Sequence, residues 1–264
     1  MKTTNIALLC VMITVLSLGT LLAADGAIPI WEPTTIMESG RYVLTRDIIA
    51  ESSEPGTITI TANNVDFDLN GFTIDSYQYT VLSEGDGLKI YNGTINATNE
   101  GNLQIMGDNF VVRGITFTSS DDETLRLYGN NGIVEDNLIN GGGDGIQAYG
   151  DGITIRNNVI RNAESGIELT GQGNQVLRNT ISSCQQGIVL SSSLNLIEGN
   201  LLTDNSNFGL RLYSGSENNV YRGNTVRGNT GDPLNCSSPS ATTDFCDDGT
   251  NNTSHGDNYM PGQM

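Results

Sequence analysis

A short motif returns through the second half of this sequence at a nearly constant interval. Residues 145–148 read Gly-Ile-Gln-Ala, 166–169 Gly-Ile-Glu-Leu, 187–190 Gly-Ile-Val-Leu and 209–212 Gly-Leu-Arg-Leu, so the glycines step by 21, 21 and 22. A second column keeps the period independently: Asn137, Asn158, Asn179, Asn200 and Asn224, each with an aliphatic side chain one or two places on. A period of this size marks a solenoid, in which every unit contacts its neighbours. Each unit holds short alternating segments separated by Gly, Asn, Asp or Ser, and alternation with period two specifies strand. One such unit cannot bury its apolar side alone, so the units must stack.

Stacking sets equivalent residues about 4.8 Å apart and predicts four interior ladders. They are Leu125, Ile146, Ile167, Ile188 and Leu210; Leu127, Ala148, Leu169, Leu190 and Leu212; Val134, Ile155, Val176, Ile197 and Tyr221; and Ile139, Ile160, Ile181, Leu202 and Val226. The fold expected is all-β: a single-stranded right-handed parallel β-helix of roughly eight turns, with N- and C-terminal caps. Asparagine suits its corners because it tolerates left-handed backbone and can hydrogen-bond along the stack. Traced backwards, Asn70 and Asn92 extend the column, with one asparagine replaced near Arg113-Gly114. The organisation expected is a signal peptide (1–24), an N-terminal cap (25–60) with Tyr42-Val43-Leu44 as a strand under Trp31, β-helix repeats (61–228), and a Gly/Asn-rich C-terminal cap or tail (229–264).

The uncharged apolar run from Ile6 to Ala23, after Lys2 and before Ala24-Asp25, reads as an export signal. It is also about long enough for an uncleaved anchor. The location expected is secreted, periplasmic or cell-surface, with no membrane contact once the signal is removed. A net charge of −18 argues against nucleic acid, since nothing here displaces counterions from phosphate. It also repels anionic polysaccharide unless a metal or a local basic patch intervenes. In an oxidising compartment, Cys236 and Cys246 share the tail and are expected to pair. Cys184 is then a small buried hydrophobe.

Residues 33–74 carry Pro33-Thr34-Thr35-Ile36, Gly40-Arg41-Tyr42-Val43-Leu44 and Asn63-Asn64-Val65-Asp66-Phe67-Asp68-Leu69-Asn70-Gly71. This resembles the opening turns of right-handed β-helix repeat proteins of the pectate-lyase-like superfamily, including the NosD-like branch. The resemblance implies polysaccharide lyases, glycoside hydrolases, epimerases or members without activity. Of the motifs used by the polygalacturonase-type enzymes, only Asp121-Asp122 has a counterpart, and the sole histidine, His255, lies in the tail. Copper, which wants His, Met or Cys, is poorly served for the same reason.

The candidate site lies on the outward face of one strand column. Arg126, Tyr128, Gln147, Tyr149 and Glu168 are its expected carbohydrate-binding residues, because aromatic side chains offer flat apolar area to sugar rings. Asp122, Asp144 and Glu164 fall in the preceding turns, where stacked carboxylates would favour a cation, calcium being the one expected. The competing reading is an ordinary exposed face with tyrosine chosen for strand propensity. The function expected is an exported β-helix scaffold, carbohydrate- or surface-associated and non-enzymatic, with a polysaccharide or cell-surface glycan as partner. The alternative is a calcium-assisted lyase or epimerase acting on a uronic-acid polysaccharide. No catalytic residue and no oligomeric state is readable.

Overall fold

A turn of this chain is three short strands, each presenting its apolar residues to one side. In the turn that begins at Leu125, the strands are Leu125–Leu127, Ile133–Glu135 and Leu138–Asn140. Leu125, Leu127, Val134 and Ile139 point inward and are fully buried. The computed structural model describes residues 26–50, 57–77, 79–98, 101–119, 122–237 and 242–260. The apolar run of the expected export signal lies outside the described residues.

Repetition of that turn builds a three-walled parallel β-helix. The first wall runs through Ile133–Glu135, Thr154–Arg156, Gln175–Leu177, Leu196–Glu198 and Val220–Arg222. A second runs through Leu138–Asn140, Val159–Arg161, Thr180–Ser182, Leu201–Thr203 and Thr225–Arg227. Strands Lys89–Ala97 and Val111–Ser119 turn the corner unbroken, so these two walls form one 18-stranded sheet. The third wall is a separate 10-stranded sheet that includes Leu125–Leu127, Ile146–Ala148, Ser165–Leu169, Gln186–Leu190 and Leu210–Leu212.

All four expected ladders are present in register. Ile167, for example, pairs with Ile146 on one side and Ile188 on the other. Their members are buried, and burial of that apolar area is the main term holding the turns together. The ladders continue toward the N-terminus through Ile36, Ile60, Ile105 and through Tyr42, Phe67, Ile90, Val112. Residues 28–60 therefore include turns of the solenoid itself. Gly40–Leu44 is the expected strand, but Trp31 is 45% exposed rather than laid over the core.

The asparagine column works by stacking, and its members follow the left-handed residue instead of being it. Positive φ falls on Gly114, Asp136, Asn157, Arg178, Gly199 and Gly223, one place before the position held by Asn137, Asn158, Asn179, Asn200 and Asn224. Each ladder side chain is buried. The Asn158 Oδ1 accepts both the backbone N–H and the Nδ2–H of Asn137, each at 3.0 Å, while Asn158 Nδ2 donates onward to Asn179 Oδ1 and to the Val134 carbonyl. Corner groups that would be orphaned are thereby satisfied. Asn70 and Asn92 have φ of 52° and 64°, which places them in the left-handed column, one register away from the ladder the sequence assigned them to. Two further ladders occupy the other corners: Asn174, Asn195, Asn219 and Asn252, and Asn205, Asn229 and Asp244.

The tail, which shows no period, supplies the last turn. Phe245–Asp247 pairs with Leu210–Leu212 and Thr253–Ser254 with Val220–Tyr221. Phe245 and Met260 are buried in the core. Cys236 and Cys246 are disulfide-bonded and Cys184 is buried and free.

Candidate functional site

Parallel strands in exact succession place like side chains directly above one another, and on the third wall this stacks two tyrosines. Tyr128 and Tyr149 follow their strands on consecutive turns. Their rings are parallel, 1° apart in plane with centroids at 4.7 Å, and each is 38% exposed. Each therefore covers one face of the other. What the pair offers outward is two phenol hydroxyls, ring edges and the two outer faces, not the open pair of platforms expected. Burial, followed by the neighbouring Tyr128, raises the Tyr149 phenol above the ordinary tyrosine value.

The outward column beside them reads Gln104, Arg126, Gln147, Glu168, Val189 and Arg211 in strict register. Arg126 is held at its base. Its Nη1 donates to the Tyr79 hydroxyl at 2.6 Å, and its Nη2 donates to Asp122 Oδ1 at 2.9 Å and to Glu123. Burial works against its charge, but Glu123 and Asp122 outweigh it and hold the guanidinium above its usual value. Burial also raises Glu123, assisted by the Asp122 carboxyl. Gln147 is 8% exposed; its Nε2 donates to Glu168 Oε2 at 3.3 Å, while its Oε1 is buried without a partner. Arg126 Nε is buried without a partner as well.

Asp144 sits where the turn enters this wall. It accepts the Ser165 backbone N–H at 3.0 Å. Burial and a hydrogen bond with Glu168 push its carboxyl up to about 6, so it can carry a proton near neutrality. At the far end, Arg211 lies over the rings of Tyr213 and Phe208 and donates to the carbonyl of Asn235, the residue before the disulfide-bonded Cys236.

The structure brings Arg126, Gln147, Glu168 and the two tyrosines onto one face, as the sequence indicated. It does not bring Asp122, Asp144 and Glu164 together. Asp122 is spent on Arg126, Asp144 faces Glu168, and Glu164 is exposed. Among the described residues, the one group of three acidic or thiol side chains whose ligand atoms lie within 4.8 Å is Cys236, Cys246 and Asp248, and two of its members form the disulfide. These acids do not fit a calcium chelate, which takes six to eight oxygens. Tyr79 and the Asp144–Glu168 contact were not foreseen. Tyr79 is 47 residues from Arg126, and no repeat position announces it.

A solenoid of parallel strands with a polar strip edged by aromatics along one wall defines the class: a right-handed parallel β-helix protein. The chain matches the family described as right handed beta helix region over residues 48–193 and 107–258, and it belongs to that family. No curated protein matches it. Among solved structures it is similar to the A-module of the mannuronan C-5 epimerase AlgE6 of Azotobacter vinelandii, with a TM-score of 0.52 at 19% identity, covering 78% of this chain and 63% of that one. The AlgE4 A-module from the same organism aligns at 13% identity with a TM-score of 0.40, covering 86% and 89%. The chain thus spans less than two thirds of the AlgE6 module, and the likeness concerns the fold.

Proposed function

We propose that this protein is an exported β-helix scaffold that binds an extracellular or surface glycan along its third wall. One observation carries the reading: two buried, unpartnered polar atoms, Gln147 Oε1 and Arg126 Nε, lie beside the exposed Tyr128–Tyr149 pair. Polar atoms left unmatched in a folded chain are costly, and sugar hydroxyls, which both donate and accept, are apt partners for the Gln147 acceptor and the Arg126 donor once a ligand draws these side chains outward. The ring edges and outer faces of the tyrosines supply apolar contact for a pyranose. The epimerase activity in the name of the AlgE6 module supports a polysaccharide as the ligand class. Calcium is given no part in it.

The test is a glycan array probed with the mature protein, its Tyr149→Ala variant and a Gln147→Leu variant. Binding by the parent that weakens in both variants supports the reading. An empty array, or binding indifferent to both, removes it.

A second reading, a lyase or epimerase of uronic-acid polysaccharides, is favoured by Asp144. A carboxyl held near 6, beside Glu168 and on the same turn as Tyr149, would exchange a proton with a bound sugar. New ultraviolet absorbance from unsaturated ends, or a change in uronate configuration, that disappears in Asp144→Asn would establish it.

A further inference from the structure

We infer that the first wall, near the N-terminal end, carries a second and separate site that takes the carboxylates of an acidic oligosaccharide. Its centre is Tyr91. One turn back, Asp66 accepts the Tyr91 hydroxyl at 2.8 Å; one turn on, the Arg113 guanidinium lies 5.2 Å from the Tyr91 ring centroid. Lys89 stands two residues before Tyr91 on the same strand, in register with Asp66 and Val111. Lysine occurs in this sequence at residues 2 and 89 alone, so its appearance beside an unpaired arginine on a chain of net charge −18 is a departure from the surface as a whole.

The neighbouring charges explain why these two cations are available. On the same wall Arg156 is paired with Glu135 and Arg222 with Glu198. Asp68 accepts the Asn70 backbone N–H and the Asn92 amide, and Asp66 is engaged by Tyr91. Among the described residues neither Lys89 nor Arg113 forms an ion pair. Of the acids nearby, Asp66 and Asp68 are thus met by neutral donors and Glu135 by another arginine, while Lys89 and Arg113 are exposed.

The shape agrees. Two hollows meet at Tyr91 and Arg113, one of about 340 Å³ that reaches Lys89 and one of about 260 Å³. The larger is floored by Val111 and Ile133, both half-buried, and Asp66 and Glu135 line it as well, while Asp136 lines the smaller. An apolar floor suits the C–H face of a pyranose, and cations on successive turns suit single carboxylates on successive sugars better than one multiply charged phosphate. Carboxylate pairing by arginine and lysine is charge-assisted and directional. Lys89 and Arg113 are the cations these hollows offer to an anionic polysaccharide on so acidic a protein. It lies on a different wall from Tyr128 and Tyr149, so the two sites stand or fall separately.

The test is calorimetric titration of the mature protein with hexagalacturonate and with hexamannuronate, with neutral cellohexaose as control. At least one uronate should bind, cellohexaose should bind at least tenfold more weakly, and added salt should weaken uronate binding. The Lys89→Gln/Arg113→Gln double variant should lose at least tenfold in affinity while melting at the parent temperature. Arg161→Gln, an exposed cation on the second wall, should bind like the parent. Failure of both uronates to bind, an affinity unchanged in the double variant, or an equal loss in Arg161→Gln would overturn the inference. Loss in Tyr149→Ala alone would transfer the acidic ligand to the third wall and overturn it too.

Discussion

Asn258 Oδ1 accepts both the backbone N–H and the side-chain Nδ2–H of Asn224, each at 2.9 Å, across 34 residues of chain. The tail thereby takes the next place in the corner ladder, although the spacing there is far from the 21 of the preceding turns. The ladder should behave as a graded series. Asn179→Ala removes a central member, leaving the Asn158 N–H and the Ile155 carbonyl without partners in a dry corner; the loss expected is about 3 kcal/mol or more. Asn258→Ala, at a half-buried end where water can substitute, should lose about 1 kcal/mol. Urea titrations of both variants check this, and equal losses would mean that the ladder is not read by burial.

Ile167 lies between Ile146 and Ile188 and is fully buried. Truncation leaves a cavity that stacked β-strands cannot collapse to fill, so Ile167→Ala should destabilise by about 2–5 kcal/mol. Thr170→Ala on the outer side is the control. Matching denaturation midpoints for the two would contradict the register.

Arg178 holds a φ of 53° in a column where three other turns have glycine. A side chain in the left-handed region costs about 1–2 kcal/mol. Arg178→Gly should relieve that strain, offset in part by the greater freedom of glycine in the unfolded chain, for a net gain of about 0.5 kcal/mol. Arg178→Ala keeps the strain and should gain nothing. Thermal melts of the two variants distinguish them, and identical behaviour would show that the corner is unstrained.

Asp144 titrates in the fold near 6 instead of at its ordinary 3.8. A raised carboxyl favours its protonated form in the native state, so its contribution to stability is fully present below 3.8 and is lost as the pH rises through about 6. Asn cannot ionise, yet it can still accept from Ser165 and donate to Glu168. The melting temperature of Asp144→Asn minus that of the parent should therefore grow between about pH 4 and pH 8. A difference that stays flat would return Asp144 to the ordinary carboxylate range.

The interior was legible in the residues because a solenoid is nearly one-dimensional. A fixed period combined with alternation assigns each side chain both a wall and a direction, so Ile146, Ile167 and Ile188 could be stacked on paper. The ladder of Asn137 to Asn224 was legible for the same reason. Its N-terminal extension was not: Asn70 and Asn92 obey the period but sit one place away, in the left-handed column, and a period alone does not say whether asparagine is there for its backbone or its amide.

The outer surface was decided by tertiary structure. Sequence placed Tyr128 and Tyr149 one above the other, but only the side-chain directions made them cover each other's faces. Arg126 meets Tyr79 from another turn, Asp144 meets Glu168, and the Tyr91 hydroxyl meets Asp66; each contact crosses columns, where lateral offset and rotamer matter and the repeat carries no information. The last turn was hidden for a related reason. A corner ladder needs one asparagine or aspartate at the right point in space, whatever length of chain lies between, so Asp244, Asn252 and Asn258 could close the three ladders from a tail that keeps no period at all.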